Sequence, residues 1–183
     1  MLRLSEKFYE WFLISLIPIL LGISIYTYVT GDAALHLMSY QGPIVAGGIL
    51  GWITLMRVNK GKVYSPSVTE ELMPVIGLIY RRYSPIIISI GSVLAAVWLI
   101  PAFYRLEIYN PIYYVVSFLS EIVGGFLVGI ALPSLKFIEK VIFYSLALGA
   151  DLFYVFLIYI SSTLFGVPQS AVVIYVLAMV FLV

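Results

Sequence analysis

Apolar residues run along this chain in long stretches that short polar segments interrupt. A helix needs about 20 apolar residues to cross a bilayer. The pattern predicts six such segments, in chain order 9–29, 43–58, 84–105, 111–135, 139–165 and 168–183. The second and the sixth are near the lower limit of length. The pattern therefore predicts an all-α, polytopic integral membrane protein with about six transmembrane helices in a single domain, residues 1–183.

Two of the connecting segments carry signals of their own. Asp32 is placed to cap a short surface helix over 33–40, just before the second apolar segment. The longest connection, 57–83, contains Ser67 and Glu70 at capping-box spacing, which predicts the start of a short helix. The apolar end of this loop predicts a helix that lies in the lipid headgroup region.

The basic residues give the predicted helices a direction. Nine of the ten lysines and arginines fall at the N-terminus, in the loop 57–83 or in the turn after the fourth segment, and Arg105 alone falls on the other side. Cytoplasmic loops of membrane proteins carry an excess of Lys and Arg. The distribution predicts that both termini and the loop 57–83 face the cytoplasm, with the protein in the cell membrane.

Composition supports this class and excludes several others. The chain is 63% hydrophobic and 10% charged, whereas soluble proteins are about 45–50% apolar and about 25% charged. A net charge of +1 excludes a basic surface for nucleic acid. The chain has no cysteine and one histidine, His36, so we expect no cofactor or metal bound by this chain alone. His36 is predicted to lie in an exposed outer loop.

Two carboxylic acids, Glu121 and Asp151, lie in the middle of the fourth and fifth apolar segments. A carboxylate at the bilayer centre costs several kcal/mol unless it is neutral, paired or hydrated. The two segments form a hairpin that turns near Phe137, with Glu121 16 residues before it and Asp151 14 residues after it. At about 1.5 Å per residue, both lie roughly 21–24 Å from the turn. Their equal depth predicts two carboxyl groups close enough to share a proton or a cation.

The neighbours of these acids are consistent with more than one role. Ser117 and Ser120 lie on the same helical stripe as Glu121, and Tyr154 lies on the stripe of Asp151. These polar groups are consistent with a proton or cation site, or with a pocket for a quinone head group or another small ligand. They are equally consistent with two neutral acids that stabilise helix packing, or with contact to a partner subunit.

Glycine pairs predict where the helices approach one another. Gly47 with Gly51, and Gly125 with Gly129, each form a G-x-x-x-G motif. Two small residues one helical turn apart allow another helix to come close. We therefore expect helix contacts at these four glycines, either within the chain or with another subunit.

Two further features are predicted to be structural. Pro101 lies in the third apolar segment and is expected to kink it. Glu107 lies two residues after Arg105, outside the apolar core of that segment, and is expected to form a local ion pair with it at the surface.

No motif of an independent enzyme is present: there is no G-x-S-x-G, no H-E-x-x-H and no phosphate-binding glycine loop. A chain rich in Ile, Tyr and Val and without Cys is typical of membrane proteins of thermoacidophilic, and hence thermophilic, archaea. In size, composition and hydropathy the whole chain resembles the small hydrophobic accessory subunits of archaeal respiratory haem-copper quinol oxidases. The resemblance implies a non-catalytic subunit of a terminal oxidase in the respiratory chain. Its partners would be other membrane subunits and lipid, with haem or quinone held by those subunits.

The alternative is a small membrane transporter or substrate-binding component that uses Glu121 and Asp151. Six spans in about 180 residues also resemble the substrate-specificity components of energy-coupling-factor vitamin transporters. The small-residue docking motif expected early in those proteins is absent from the first segment. A proton or cation channel would need a continuous polar path, and the apolar turns above and below the acids do not provide one.

Overall fold

The computed structural model describes residues 2–30, 33–58, 63–64, 73–74 and 82–165, with residues 168, 170, 172 and 173. At residues 2–7 and at several positions after 146, Asp151 and Tyr154 among them, it describes the backbone alone. The predicted helix after Ser67 and nearly all of the predicted sixth segment lie outside the described residues.

The described chain is almost entirely helical, which confirms the all-α prediction. The helices are α1 (Leu2–Thr30), α2 (Ala33–Ser39), α3 (Gln41–Val58), α4 (Ser84–Ala96), α5 (Pro101–Tyr109), α6 (Pro111–Ala131) and α7 (Phe137–Phe165), with 3₁₀ turns at Val97–Leu99 and Leu132–Ser134. Two short strands, β1 (Val63–Tyr64) and β2 (Met73–Pro74), pair antiparallel in the loop between α3 and α4.

Two of the described helical stretches are long and apolar enough to cross a membrane, Phe8–Thr30 and Pro111–Ser134. The pair α4 and α5, which is bent by 67°, adds a third if it forms a single span. This is fewer than the six spans predicted from the apolar pattern. Helix α3 has 18 residues, but its polar first residue, its glycines and Arg57 lower its hydropathy, and it is not among these stretches.

The predicted apolar segment 84–105, with its expected kink at Pro101, is present as two helices. Helix α4 ends at Ala96, and α5 begins at Pro101 in a new direction. The ring of a proline disfavours the helical region for the residue before it, and Ile100 accordingly has φ −66° and ψ 125°, which is extended. Pro101 does more than kink the helix, because it ends one helix and begins the next.

The described residues form two compact units. The first is Met1–Leu21 with Gly42–Leu135, and the second is Gly22–Gln41 with Lys136–Val183. In the first unit, an ion pair of 2.7 Å between Arg57 and Glu10 joins α3 to α1.

Helix α6 is the centre of the first unit, and glycines let two helices approach it closely. A Cβ atom at Gly47 or Gly51 of α3 would overlap the carbonyl oxygen of Ile122 or Phe126 of α6. A Cβ atom at Gly125 would overlap the Ile44 carbonyl oxygen, and one at Gly129 would overlap that of Gly48. Both G-x-x-x-G motifs therefore lie in one contact between two helices of the same chain. The pairs advance together along both helices, so α3 and α6 run parallel.

The other side of α6 meets α4 in an antiparallel contact. A Cβ atom at Gly124 would come 2.6 Å from the carbonyl oxygen of Gly91. One turn closer to the start of α6, the Ser120 hydroxyl donates a hydrogen bond of 2.8 Å to the Leu94 carbonyl oxygen. Helix α6 therefore packs between α3 and α4, and at the glycines the helix backbones are in close contact.

In the second unit, the short helix predicted over 33–40 is present as α2. The prediction that His36 is exposed was wrong, because its side chain is only 4% exposed. Its ring packs edge-on against Tyr28 of α1, with 5.6 Å between the ring centroids. A hydrogen bond of 2.6 Å between the Thr27 and Ser39 hydroxyls ties α2 to the end of α1. Burial of this histidine depends on the packing of α2, which its sequence neighbours do not indicate.

Candidate intramembrane carboxyl site

Helix α6 begins at a defined point and presents one small and polar face. The Asn110 side chain accepts a hydrogen bond of 3.0 Å from the backbone N–H of Ile112, and Pro111 occupies the first helical turn. Both features are typical of a helix start. The buried positions then recur three or four residues apart, at Tyr114, Ser117, Glu121, Gly124, Gly125 and Gly129.

Glu121 lies at the middle of this face, and its side chain is 3% exposed. Its Oε1 atom is buried, and no described residue gives it a hydrogen bond. A buried charge without a partner costs several kcal/mol, and a buried polar atom without a hydrogen bond is also costly. An ionised Glu121 would therefore be costly at this position.

A second acid, Glu107, is also buried, with an exposed fraction of 1%. The prediction that Glu107 lies at the surface was wrong, although Arg105 itself is exposed. Tyr104 and Glu107 form the buried side of α5, and α5 packs against α6. Helices α5 and α6 thus each carry one buried acid, Glu107 and Glu121.

Ser117 and Ser120, the predicted neighbours of Glu121, donate their hydroxyl hydrogen bonds to backbone carbonyl oxygens. Ser117 is fully buried, and its hydroxyl donates a hydrogen bond of 3.0 Å to the Tyr114 carbonyl oxygen within α6. The Ser120 hydroxyl donates to α4, as described above. Each serine satisfies its own donor through a backbone carbonyl, so neither of these hydroxyl protons stabilises a charge on Glu121.

The surroundings of Glu121 differ along the axis of α6. Toward the end of the helix, Gly124 and Gly125 press against the backbones of α4 and α3. Toward its start lie the buried residues Ser117 and Tyr114, and α5 also packs against α6. The side of the site toward Gly124 and Gly125 is closed by helix contacts.

The structure does not describe the side chains of the other two predicted site residues. Asp151 and Tyr154 belong to α7, but their side chains lie outside the described residues. The pairing of Glu121 with Asp151 stays a prediction. Among the described residues, no group of three or more His, Asp or Glu side chains is arranged to hold a metal ion.

Sequence reasoning missed the burial of Glu107 because the predicted apolar segment 84–105 ends two residues before it. A usable signal was present in Pro101, which begins a separate nine-residue helix. On such a helix, Tyr104 and Glu107 are three residues apart and share a face.

Long apolar helices and a buried carboxyl group in the middle of α6 are consistent with a helical membrane protein. Within that class, the chain belongs to the DUF1404 family of proteins of unknown function, whose profile matches residues 72–182, more than half of the chain. Glu107, Glu121 and Asp151 all lie in the matched region. No curated protein matches the chain, and no solved structure matches it.

Proposed function

We propose that this protein is a small multi-pass component of the cell membrane that binds and exchanges a proton or a small cation through Glu121. The proposal includes six spans with both termini in the cytoplasm, which the distribution of basic residues supports.

The observation that carries the proposal is the state of Glu121. It lies in Pro111–Ser134, one of the stretches that can cross a membrane, and it is buried with an oxygen that no described group satisfies. Ionisable residues inside membrane helices are rare and mostly mark ion or proton pathways. A packing role alone would be served better by an apolar residue or by an acid with a full set of hydrogen bonds.

The packing around Glu121 favours a small ligand over a large one. Ser117 is fully buried, and glycine contacts close the space beside Gly124 and Gly125. A quinone head group would have to separate α3, α4 and α6, whereas a proton needs no additional space. A proton or a small ion therefore fits this site better than an organic substrate.

Reconstitution into liposomes tests the proposal. Vesicles that contain a pH-sensitive dye are placed under a potassium-diffusion potential, and proton uptake is recorded for the wild type and for Glu121→Gln. The proposal requires that the helix contacts beside Gly124 and Gly125 separate transiently to open the second side, so uptake above that of empty vesicles and its loss in Glu121→Gln are expected. The matched acid-to-amide control is Glu139→Gln, because the side chain of Glu139 already accepts a hydrogen bond of 2.7 Å from the Lys136 backbone N–H at the start of α7. Equal uptake in wild type and Glu121→Gln would remove Glu121 from the mechanism.

The second candidate is a non-catalytic subunit of a respiratory quinol oxidase complex. The exposed apolar side chains of Phe8, Trp11 and Phe12 on α1 offer a surface that a partner subunit or lipid would cover. The G-x-x-x-G motifs give this candidate little support, because both already lie in the contact between α3 and α6 of the same chain. Purification of the tagged protein in mild detergent, followed by an optical spectrum, tests this candidate. Co-purifying membrane subunits with haem absorption would favour it, and a lone colourless protein would exclude it.

A further inference from the structure

We propose that α5 is an amphipathic helix that lies in the plane of the membrane surface and binds the lipid headgroup region. In this arrangement Phe103 and Leu106 contact acyl chains, and Arg105 lies among the lipid phosphates. The inference goes beyond the proposed function, because it assigns a lipid-binding surface and does not depend on Glu121.

The direction of α5 is the first argument. Helix α5 has nine residues, and its axis is bent by 67° from that of the preceding helix. At about 1.5 Å per residue it is about 13 Å long, so this bend leaves it a rise of only about 5 Å along the axis of α4. Helix α4 runs antiparallel to α6, which belongs to a stretch that can cross a membrane. Because α4 follows the direction of a span, α5 lies closer to the membrane plane than to its normal.

The contact between α4 and α6 gives an independent estimate of this rise. The Leu94 carbonyl oxygen meets the Ser120 hydroxyl, which lies about 13 Å along α6 from its start at Pro111. The chain from Leu94 to Leu99 covers about 7 Å of this height. Helix α5 therefore has to rise about 6 Å to reach the start of α6, which agrees with its tilt.

The level of α5 in the membrane is the second argument. Helix α6 begins at Pro111, two residues after α5 ends. Tyr109 and Tyr113 lie on either side of this start and are exposed, and tyrosine is enriched at membrane–water interfaces. An amphipathic helix at such an interface is buried about 5–10 Å into the boundary between headgroups and acyl chains. The small rise of α5 keeps the whole helix within this layer.

The third argument is the distribution of side chains around α5. Its buried side carries Tyr104 and Glu107, and the helix packs against α6. At about 100° per residue, Phe103 and Leu106 lie on one flank of this buried side and Arg105 lies on the other. All three of these side chains are exposed. An apolar flank opposite a basic flank is the pattern of a helix that lies on a membrane.

The charges of α5 favour lipid headgroups as its partner. Helix α4 has no charged residue, whereas α5 carries an arginine and a glutamate among nine residues. A guanidinium group binds phosphate oxygens through two parallel hydrogen bonds. The apolar part of an arginine side chain also packs on apolar surface while its charge stays at the headgroup level. A lipid leaflet offers acyl chains to the apolar flank and phosphate to Arg105, so one partner fits both flanks.

Spin labels test the direction of α5. The chain has no cysteine, so single cysteines can be labelled in lipid nanodiscs, and power saturation with oxygen and with a water-soluble nickel chelate gives the depth of each label. Ala102→Cys and Tyr109→Cys are seven residues apart at exposed positions of α5, and Ile112→Cys and Leu119→Cys are the matched pair on α6. The expected difference in depth is about 4 Å for the α5 pair and about 10 Å for the α6 pair. Equal differences in the two pairs would mean that α5 stands upright, which overturns the proposal.

The same method tests which flank contacts lipid. Labels at Phe103→Cys and Leu106→Cys are expected to be more accessible to oxygen than to the nickel chelate, and the label at Arg105→Cys is expected to show the reverse. High nickel accessibility at all three positions would place α5 in water. Low accessibility to both reagents at Phe103→Cys and Leu106→Cys would mean that protein covers this flank. Either result refutes the contact with lipid.

A measurement on the unmodified chain covers the case in which a label disturbs the fold. In nanodiscs that contain lipid with a nitroxide near the headgroup, the backbone amide signals of wild-type Ala102–Tyr109 are expected to be broadened to a similar degree. A steep gradient of broadening from Ala102 to Tyr109 would contradict the in-plane helix. None of these readouts measures proton uptake, so their failure leaves the test of Glu121 unaffected.

Discussion

At the scale of single residues, a polar side chain of this protein can join two helices by a hydrogen bond to a backbone carbonyl oxygen. The Ser120 hydroxyl spans from α6 to the Leu94 carbonyl oxygen, in the last turn of α4 just before the chain bends. This hydrogen bond joins α6 to α4 beside Glu121 in the sequence.

Replacement of this hydroxyl is expected to weaken the α4–α6 contact. Ser120→Ala removes one inter-helix hydrogen bond and should destabilise the folded protein by about 0.5–1.5 kcal/mol. Thermal unfolding in detergent measures the change. The control is Ser89→Ala, because the exposed Ser89 hydroxyl bonds only to the Pro85 carbonyl oxygen in its own helix. Equal effects of both variants would contradict a role for Ser120 in helix contact.

At the scale of elements, the centre of the first unit is three helices that approach to backbone distance. Glycines on both sides of α6 make this possible, since Gly125 meets α3 and Gly124 meets α4. Close contact of this kind maximises van der Waals attraction, which drives helix association in lipid.

A methyl group at one of these contacts should therefore be costly. Gly125→Ala places a Cβ atom against the Ile44 carbonyl group, and the resulting overpacking is expected to cost about 1–3 kcal/mol. Gly22→Ala is the matched control, because nothing lies within 4 Å of a Cβ atom there, and its expected effect is neutral or a gain of up to about 1 kcal/mol. The midpoints of thermal unfolding compare them. A stable Gly125→Ala protein would show that α3 and α6 are further apart.

The break at Pro101 leads to a second prediction for the elements. Pro101→Ala removes the restriction on Ile100, so helical geometry is expected to continue from α4 into α5 and to reduce the bend of 67°. The chain has no cysteine, so spin labels at Ile90→Cys and Leu106→Cys, both exposed positions, report on this bend alone. The inter-label distance measured by pulsed electron resonance should increase in Pro101→Ala, and an unchanged distance would mean that packing maintains the bend.

At the scale of the whole molecule, the number and direction of spans determine which side of the membrane each loop faces. The proposed six-span topology places Tyr83 and Phe137 at the cytoplasmic side and Tyr109 outside, and all three side chains are exposed. Single cysteines at these positions are expected to differ in intact cells: Tyr109→Cys reacts with a membrane-impermeant maleimide, whereas Tyr83→Cys and Phe137→Cys react only after lysis. Reaction of all three from outside would exclude this orientation.

The limits of sequence reasoning are clearest at two acids and one histidine. The positions of α1, α6 and α7 follow closely from the apolar pattern, because a run of apolar residues is a local property that the bilayer or a core selects directly. Glu107 and His36 were predicted to be exposed and are buried. Their burial depends on where α5 and α2 pack, which is a non-local property.

Sequence by itself determined the class of this protein, the start of α6 at Asn110 and Pro111, and the unusual position of Glu121, since each rests on nearby residues or on composition. Only the tertiary structure decided that Glu107 is buried and that the glycine motifs meet each other within the chain. The physical reason is that a bend at one proline redirects a whole helix, and residues distant in sequence become neighbours only after that redirection and the close packing of α3, α4 and α6.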